Sequence, residues 1–461
     1  MRALLLALVL FLTSGCYPTG DDSTPAPEIS YVHVDIHLGT VPAGGDPWAP
    51  RGGLVTYTWA EHTPQTLAVR GVWQAEMVAL STPSGLVFVS GTQTSEATVY
   101  DLSVAAGGPS SLSIPYNLAD HVTVGRADGA YTAGGWFYSP DEGLAYTVTW
   151  PDFCGAVWPC PADNYTRVTW AVTAPEESSG LWLAVDTGDV ATDPFHVSWA
   201  WWADGQLRDL GDHRVVAGRD EFLDTMETKI WEREPYLDAA DDLLGGRPYP
   251  LYGLVDTGNW GVPSDGYSSG GGMEHTPYAY IDSVESLSYP PIIEHEYIHA
   301  WYSSKIGYPH IGEMIVAEGV TTYLEGVVRS EVDGGGLQNW ITSLCRWASS
   351  GAKTAEYPAW CPYCEEVPPP DIYGPGLPYA AGALFLYDYS SDELGDPSAL
   401  VPVLGDVANY LPPGSYGWAT IVEEIENRTG ISMDPYMQWV TLPNQDVPGA
   451  TIIGLASACD I

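Results

Sequence analysis

The chain has 461 residues, enough for roughly two or three domains with complete cores. Its 16 Lys plus Arg face 59 Asp plus Glu, a formal net charge of −43, which argues against nucleic acid and anionic membrane surfaces as partners. The acidic residues are dispersed and read as a solubilising surface, although such a field would also draw cationic substrates or free amino termini.

At the N-terminus Arg2 precedes a short apolar run, Ala3 to Leu12, then Thr13-Ser14-Gly15-Cys16. A run this short is a signal-peptide core and not a membrane span. Small residues directly before Cys16 resemble a bacterial lipoprotein cleavage site, where the cysteine becomes the lipid-bearing terminus. An ordinary secretory signal is the alternative. Residues 17–28 read as a flexible tether, so the expectation is an exported chain held to a membrane only through its lipid. Setting Cys16 aside leaves Cys154, Cys160, Cys345, Cys361, Cys364 and Cys459, an even set that suggests disulfides in an oxidising compartment. Cys154 and Cys160 are near enough to pair locally. Cys361 and Cys364 could pair with each other or with Cys345 and Cys459.

From 29 to 212 the chain reads as strands. Val32, Val34, Ile36 and Leu38 alternate with His33, Asp35 and His37, and Val168, Trp170 and Val172 repeat the pattern. Gly, Pro, Asp and Ser clusters punctuate such runs. This half is expected to be an antiparallel β-sandwich-like domain, with His33 and His37 on a solvent face.

The pattern changes in the second unit, 213–461. Phe222, Leu223, Met226 and Ile230 mark one buried face of a helix starting near Asp220. Leu251 to Val255 is a strand candidate, and a glycine-rich stretch runs to His275. Pro290-Pro291 suits the first turn of a helix that carries His295-Glu-Tyr-Ile-His299 and stops near Gly307. A second helix from about Glu313 to Ser330 carries Glu318, and a further apolar helix covers about Pro378 to Tyr389. The region 351–376 reads as a loop.

On a helix, His295 and His299 lie on one face and can reach a single metal ion. With Glu318 as a third ligand, one position of a Zn2+ ion stays open for water, as catalysis requires. Glu296 lies beside them as a general base. Glu325 sits two turns beyond Glu318 on the same face and can orient a ligand.

Together these residues resemble the aminopeptidase N family of gluzincin metallopeptidases. Gly271-Gly272-Met273-Glu274-His275 resembles its Gly-Ala-Met-Glu-Asn motif, with an ending closer to the glycyl aminopeptidase family. Ala317-Glu318-Gly319 resembles the segment around its third ligand, and Leu377-Pro378-Tyr379 through Gly382 the segment of its catalytic tyrosine. Looser similarities around Trp158-Pro159-Cys160, Gly246 to Tyr252 and Thr429 to Trp439 extend the resemblance over roughly 30–445. It implies an α+β multidomain chain whose second unit is a thermolysin-like α/β catalytic domain. It implies that Glu274 binds a free α-ammonium, that Gly271, Gly272, Met273 and His275 line the peptide, and that Tyr379 donates to the oxyanion. The expected substrates are peptides with free N-termini. An endopeptidase on the same fold, or a non-catalytic peptide-binding lipoprotein, stays open.

Overall fold

The computed structural model describes residues 31–38, 50–70, 77–94, 97–116, 135–139, 144–148, 158–161, 168–173, 181–184, 199–249, 251–257, 272–275, 277–281, 291–309, 311–335, 337–351, 377–441 and 459. Cys16, the tether, Gly271, His310, Cys154, Cys361 and Cys364 lie outside them.

The alternation around Val34 builds the strand Tyr31–Leu38, with Val34 fully buried and His33 and Asp35 half-buried. His33 Nδ1 lies 2.9 Å from the Thr169 hydroxyl, so this histidine is engaged by the neighbouring strand. That neighbour, Val168–Thr173, begins a six-stranded sheet, followed in order by Tyr31–Leu38, Pro50–Trp59, Ser110–Tyr116, Val78–Thr82 and Gly85–Val89. The expectation of an antiparallel domain is corrected at one place: Tyr31–Leu38 and Val168–Thr173 run parallel, in the register Val32↔Val168 to His37↔Thr173. A long connection separates these two strands, and only tight turns force antiparallel pairing. The remaining pairs of this sheet are antiparallel. A three-stranded sheet (Thr66–Arg70, Ala97–Asp101, Gly91–Gln93) and a four-stranded sheet (Leu181–Ala184, Trp199–Trp202, Leu144–Val148, Gly135–Ser139) complete the N-terminal strands.

The site rests on a five-stranded sheet. Its strands are β1 (Gly205–Gly211), β2 (Arg214–Arg219), β3 (Tyr252–Asp256), β4 (Gly272–His275) and β5 (Tyr278–Ile281), in the order β1-β2-β3-β5-β4. The β1–β2 hairpin straddles position 212, so this sheet begins with residues counted above in the first unit. β3 is buried along its whole length, as a central strand flanked by parallel neighbours β2 and β5 should be. β4 pairs antiparallel with β5 and forms the sheet edge, in the register Gly272↔Ile281 to His275↔Tyr278. Trp202 is buried and donates from Nε1 to the Asp256 carbonyl at 2.9 Å, tying the four-stranded sheet to β3.

Helix α1 (Asp220–Leu244) buries Phe222, Leu223, Met226 and Ile230 as the apolar spacing predicts, and runs past Pro235 to Leu244. Next come α2 (Ile292–Ile298), α3 (Glu318–Asp333), α4 (Leu337–Gly351), α5 (Leu377–Glu393), α6 (Val401–Tyr410), α7 (Trp418–Thr429) and α8 (Asp434–Thr441). Among the described residues no helix is long and apolar enough to cross a membrane. Two expected helices are shorter than their sequences suggest. The motif helix α2 ends at Ile298, and a π-helical stretch with non-helical backbone at Tyr302 and Ser303 follows. The helix expected from Glu313 starts instead at Glu318, after the 3-10 turn Ile311–Val316. Glu313 is drawn away from the helix to accept the Trp418 backbone N–H at 2.8 Å.

α3 and α5 approach through glycine. A Cβ on Gly382 would lie 2.7 Å from the Gly319 Cα, too close for any side chain at either position. Each glycine follows a site residue on its own helix, so this contact sets the spacing of Glu318 and Tyr379. Cys345 on α4 is disulfide-bonded to Cys459, a pair not named from the sequence, and Cys160 is also disulfide-bonded.

Candidate metal centre

α2 is fixed against the sheet and α1 before it presents its histidines. The Tyr252 hydroxyl donates to the Ile293 carbonyl at 2.9 Å, and the Tyr297 hydroxyl to Asp241 at 2.7 Å. Glu294 is fully buried and takes a two-point contact from Arg233 of α1, with Nε to Oε2 at 2.9 Å. Burial raises the Glu294 carboxyl to about 7, against the opposing pull of Arg233. Such planar pairing locks the roll of the helix.

α2 carries His295, and His299 caps its C-terminal end; both are buried. Their Nε2 atoms are 3.1 Å apart, and Glu318 Oε2 stands 3.3 Å from the first and 3.2 Å from the second. The outer nitrogens are engaged. His295 Nδ1 donates to Glu325 Oε2 at 3.1 Å, and His299 Nδ1 to the Tyr302 carbonyl at 3.0 Å, with the Thr321 hydroxyl 3.1 Å away. Protons on both Nδ1 atoms leave two Nε2 lone pairs and a carboxylate oxygen converging on one point.

That triangle fits a zinc ion. Ligands at roughly 2.0–2.1 Å in tetrahedral geometry stand about 3.3 Å from one another. The electrostatics agree. Burial disfavours an imidazolium, yet Glu318 and Glu325 raise His295 well above the ordinary histidine range, and Glu318 raises His299. Burial also opposes charge on Glu318, but the two imidazoles hold its carboxyl down at about 2. The pocket therefore favours positive charge between these three groups. Glu318 is the first residue of α3, where the helix dipole further favours a carboxylate.

Glu296 lies against the edge strand. A Cβ on Gly272 would meet its Oε1 at 2.5 Å, so only glycine lets β4 pass this close. The Glu274 backbone N–H donates to the Glu296 carboxylate, and burial raises that carboxyl to about 7, against the pull of His299 and His295. A carboxylate so poised exchanges a proton readily near neutrality. Tyr379, near the start of α5, stacks over His295 with ring centroids 6.1 Å apart and 20° between planes. Its hydroxyl is hydrogen-bonded to Glu318, and burial, then Glu318 and Glu296, raise it well above the usual phenol range. It stays a protonated donor.

The structure thus brings together His295, Glu296, His299, Glu318, Glu325, Tyr379 and Glu274. Glu274 is buried on β4 and accepts a hydrogen bond from the buried Ser304 hydroxyl. Met273 and His275 lie on the same strand, opposite Tyr280 and Tyr278, with side chains outside the described set. Sequence reasoning missed Ser304. The helix pattern hid it, because the chain turns out of the helix at Tyr302 and Ser303 (φ 158°) to aim it at β4. Thr321 and the Arg233–Glu294 pair were equally silent, since their partners are distant in sequence.

No protein-family model matches the sequence, and no curated protein matches it. Fold and donor set nevertheless define a class, the zinc metallopeptidase architecture. Among solved structures, the chain is similar to leukotriene A4 hydrolase from Saccharomyces cerevisiae, with a TM-score of 0.67 at 13% identity over 90% of this chain and 68% of that one. It is also similar to the M1 zinc metallopeptidase of Deinococcus radiodurans, with a TM-score of 0.63 at 17% identity over 90% of this chain and 94% of that one. A mutant of the Deinococcus enzyme bound to a Tyr-Ser-Ala substrate gives 0.66 at 16% identity over 90% and 95%. The fold is therefore that of the M1 zinc metallopeptidases, in agreement with the resemblance read from the motifs.

Proposed function

We propose that this chain is a zinc-dependent aminopeptidase that removes residues from peptides with free N-termini. The observation that carries the reading is the converging triangle of His295, His299 and Glu318, whose ligating atoms lie 3.1–3.3 Å apart beside the buried Glu296 and Glu274. A zinc ion held by those three side chains supplies Lewis-acid chemistry, activating water and polarising a carbonyl. Glu296 takes the proton from the attacking water and later delivers it to the leaving amine. Tyr379 offers its hydroxyl to the oxygen that gains charge, a donation worth roughly 3–4 kcal/mol when well placed. Glu274 pairs with the substrate ammonium, a charge-assisted contact strengthened by burial. β4, as an edge strand with glycine at 272, offers backbone groups to an extended peptide.

Two complexes of similar structures support the substrate class: the Deinococcus enzyme with Tyr-Ser-Ala, and the yeast hydrolase with bestatin. The run Ala3 to Leu12 before Cys16 supports reading the enzyme as exported and held to a membrane through lipid on Cys16, with plain secretion as the alternative. The test of the exopeptidase claim compares matched peptides with free and acetylated N-termini. Free peptides should be cut one residue at a time and acetylated ones left intact. Efficient internal cleavage of the acetylated peptides would instead favour an endopeptidase.

A further inference from the structure

Helix α4 buries Ile341, Leu344 and Ala348, but the next ring on its flank, Trp347, is 38% exposed. Part of its indole surface is thus open to solvent while the rest is packed. Trp347 sits against Tyr379, ring centroids 5.4 Å apart at 34°, and Tyr379 in turn stacks over His295. Three rings thus run from solvent to the metal ligands. The platform is also fixed: Cys345, on the same helix, is covalently joined to Cys459, and α4 packs on α5 and α3.

The site has two walls. One is β4 with α2, which carries Glu274 and Glu296. The other is α3 and α5, extended outward by α4. For a peptide whose ammonium pairs with Glu274 and whose first carbonyl meets Tyr379, the nearest ring beyond that carbonyl on the Tyr379 side is Trp347. We propose that Trp347 is the specificity-determining shelf for the residue that follows the scissile bond, and that it favours an aromatic or large aliphatic side chain there. The inference rests on the aminopeptidase reading above. An indole face suits such side chains by area and by offset stacking.

The test uses the full-length protein, wild type and with Trp347→Ala or Trp347→Phe, on two dipeptides sharing a first residue, with Phe or Gly second. Zinc content is measured on each variant. An apolar pocket contact discriminates by roughly 10- to 200-fold. Trp347→Ala should lower the Phe-over-Gly ratio of kcat/KM by about tenfold, mainly through a higher KM for the Phe dipeptide. Trp347→Phe should restore most of the ratio. An unchanged ratio in Trp347→Ala overturns the proposal. So does an equal loss on both dipeptides, which would mean that Trp347 acts only by supporting Tyr379. Failure of the parent reading is separately visible as wild-type protein that cuts neither free dipeptide, and it overturns this inference too.

Discussion

Gly272 offers the sharpest perturbation, because it separates catalysis from folding. A Cβ at this position would stand 2.5 Å from Glu296 Oε1 and 2.7 Å from its Cγ. Ordinary contacts lie at roughly 3.5–4.0 Å, so in Gly272→Ala the carboxylate has to withdraw by about 1 Å. The obstacle meets the movable end of a side chain, and the metal ligands are untouched, so the fold and the zinc stoichiometry should persist. The base, however, leaves its place and strains its hydrogen bond from the Glu274 backbone N–H. A misplacement of about 1 Å costs on the order of 10²-fold in rate. That is about 2.7 kcal/mol on the barrier. The assay is kcat on an aminoacyl-amide substrate, alongside metal content and thermal unfolding. A Gly272→Ala enzyme with wild-type kcat would refute the reasoning that β4 holds Glu296 in register. So would a variant that loses its zinc.

Other residues give narrower expectations. Ser304→Ala removes the hydroxyl that donates to Glu274. A hydrogen bond to a charged group contributes roughly 1.5–3 kcal/mol, so KM for free-amine substrates should rise about tenfold with kcat little changed. A fall in kcat alone would contradict that role. Glu325→Ala releases His295 Nδ1, and zinc affinity measured by competition with a chelator should weaken roughly 10- to 100-fold. Replacing Cys345 and Cys459 by serine opens a link spanning 114 residues. Urea unfolding should then show a loss of about 2–4 kcal/mol, and an unchanged midpoint would show that the link constrains little.

What the sequence made legible was local and periodic. Phe222, Leu223, Met226 and Ile230 announce the buried face of α1 because helical spacing repeats within a few residues. His295, Glu296 and His299 are legible for the same reason, and the Gly319 and Gly382 flanking Glu318 and Tyr379 now have a cause in helix-to-helix contact. What stayed hidden depended on distant partners or on broken periodicity. The parallel pairing of Tyr31–Leu38 with Val168–Thr173 leaves no trace in either strand's alternation. Ser304 looks like one more helix residue until the backbone departs at Tyr302. Glu318 reads as mid-helix because Glu313 to Val316 has helical composition, whereas Glu313 is spent on the Trp418 backbone. Trp347 carries no motif, and its contact with Tyr379 joins two helices that sequence alone does not bring together.

The central claim is that His295, His299 and Glu318 hold a catalytic zinc beside the base Glu296. Metal analysis with parallel assay of wild type and Glu296→Gln tests it most directly. One zinc per chain should be found in both proteins, with kcat in the variant lower by roughly 10²- to 10⁴-fold, the range a positioned general base contributes. Metal-free wild-type protein with full peptidase activity, or a Glu296→Gln variant as fast as wild type, would contradict the account.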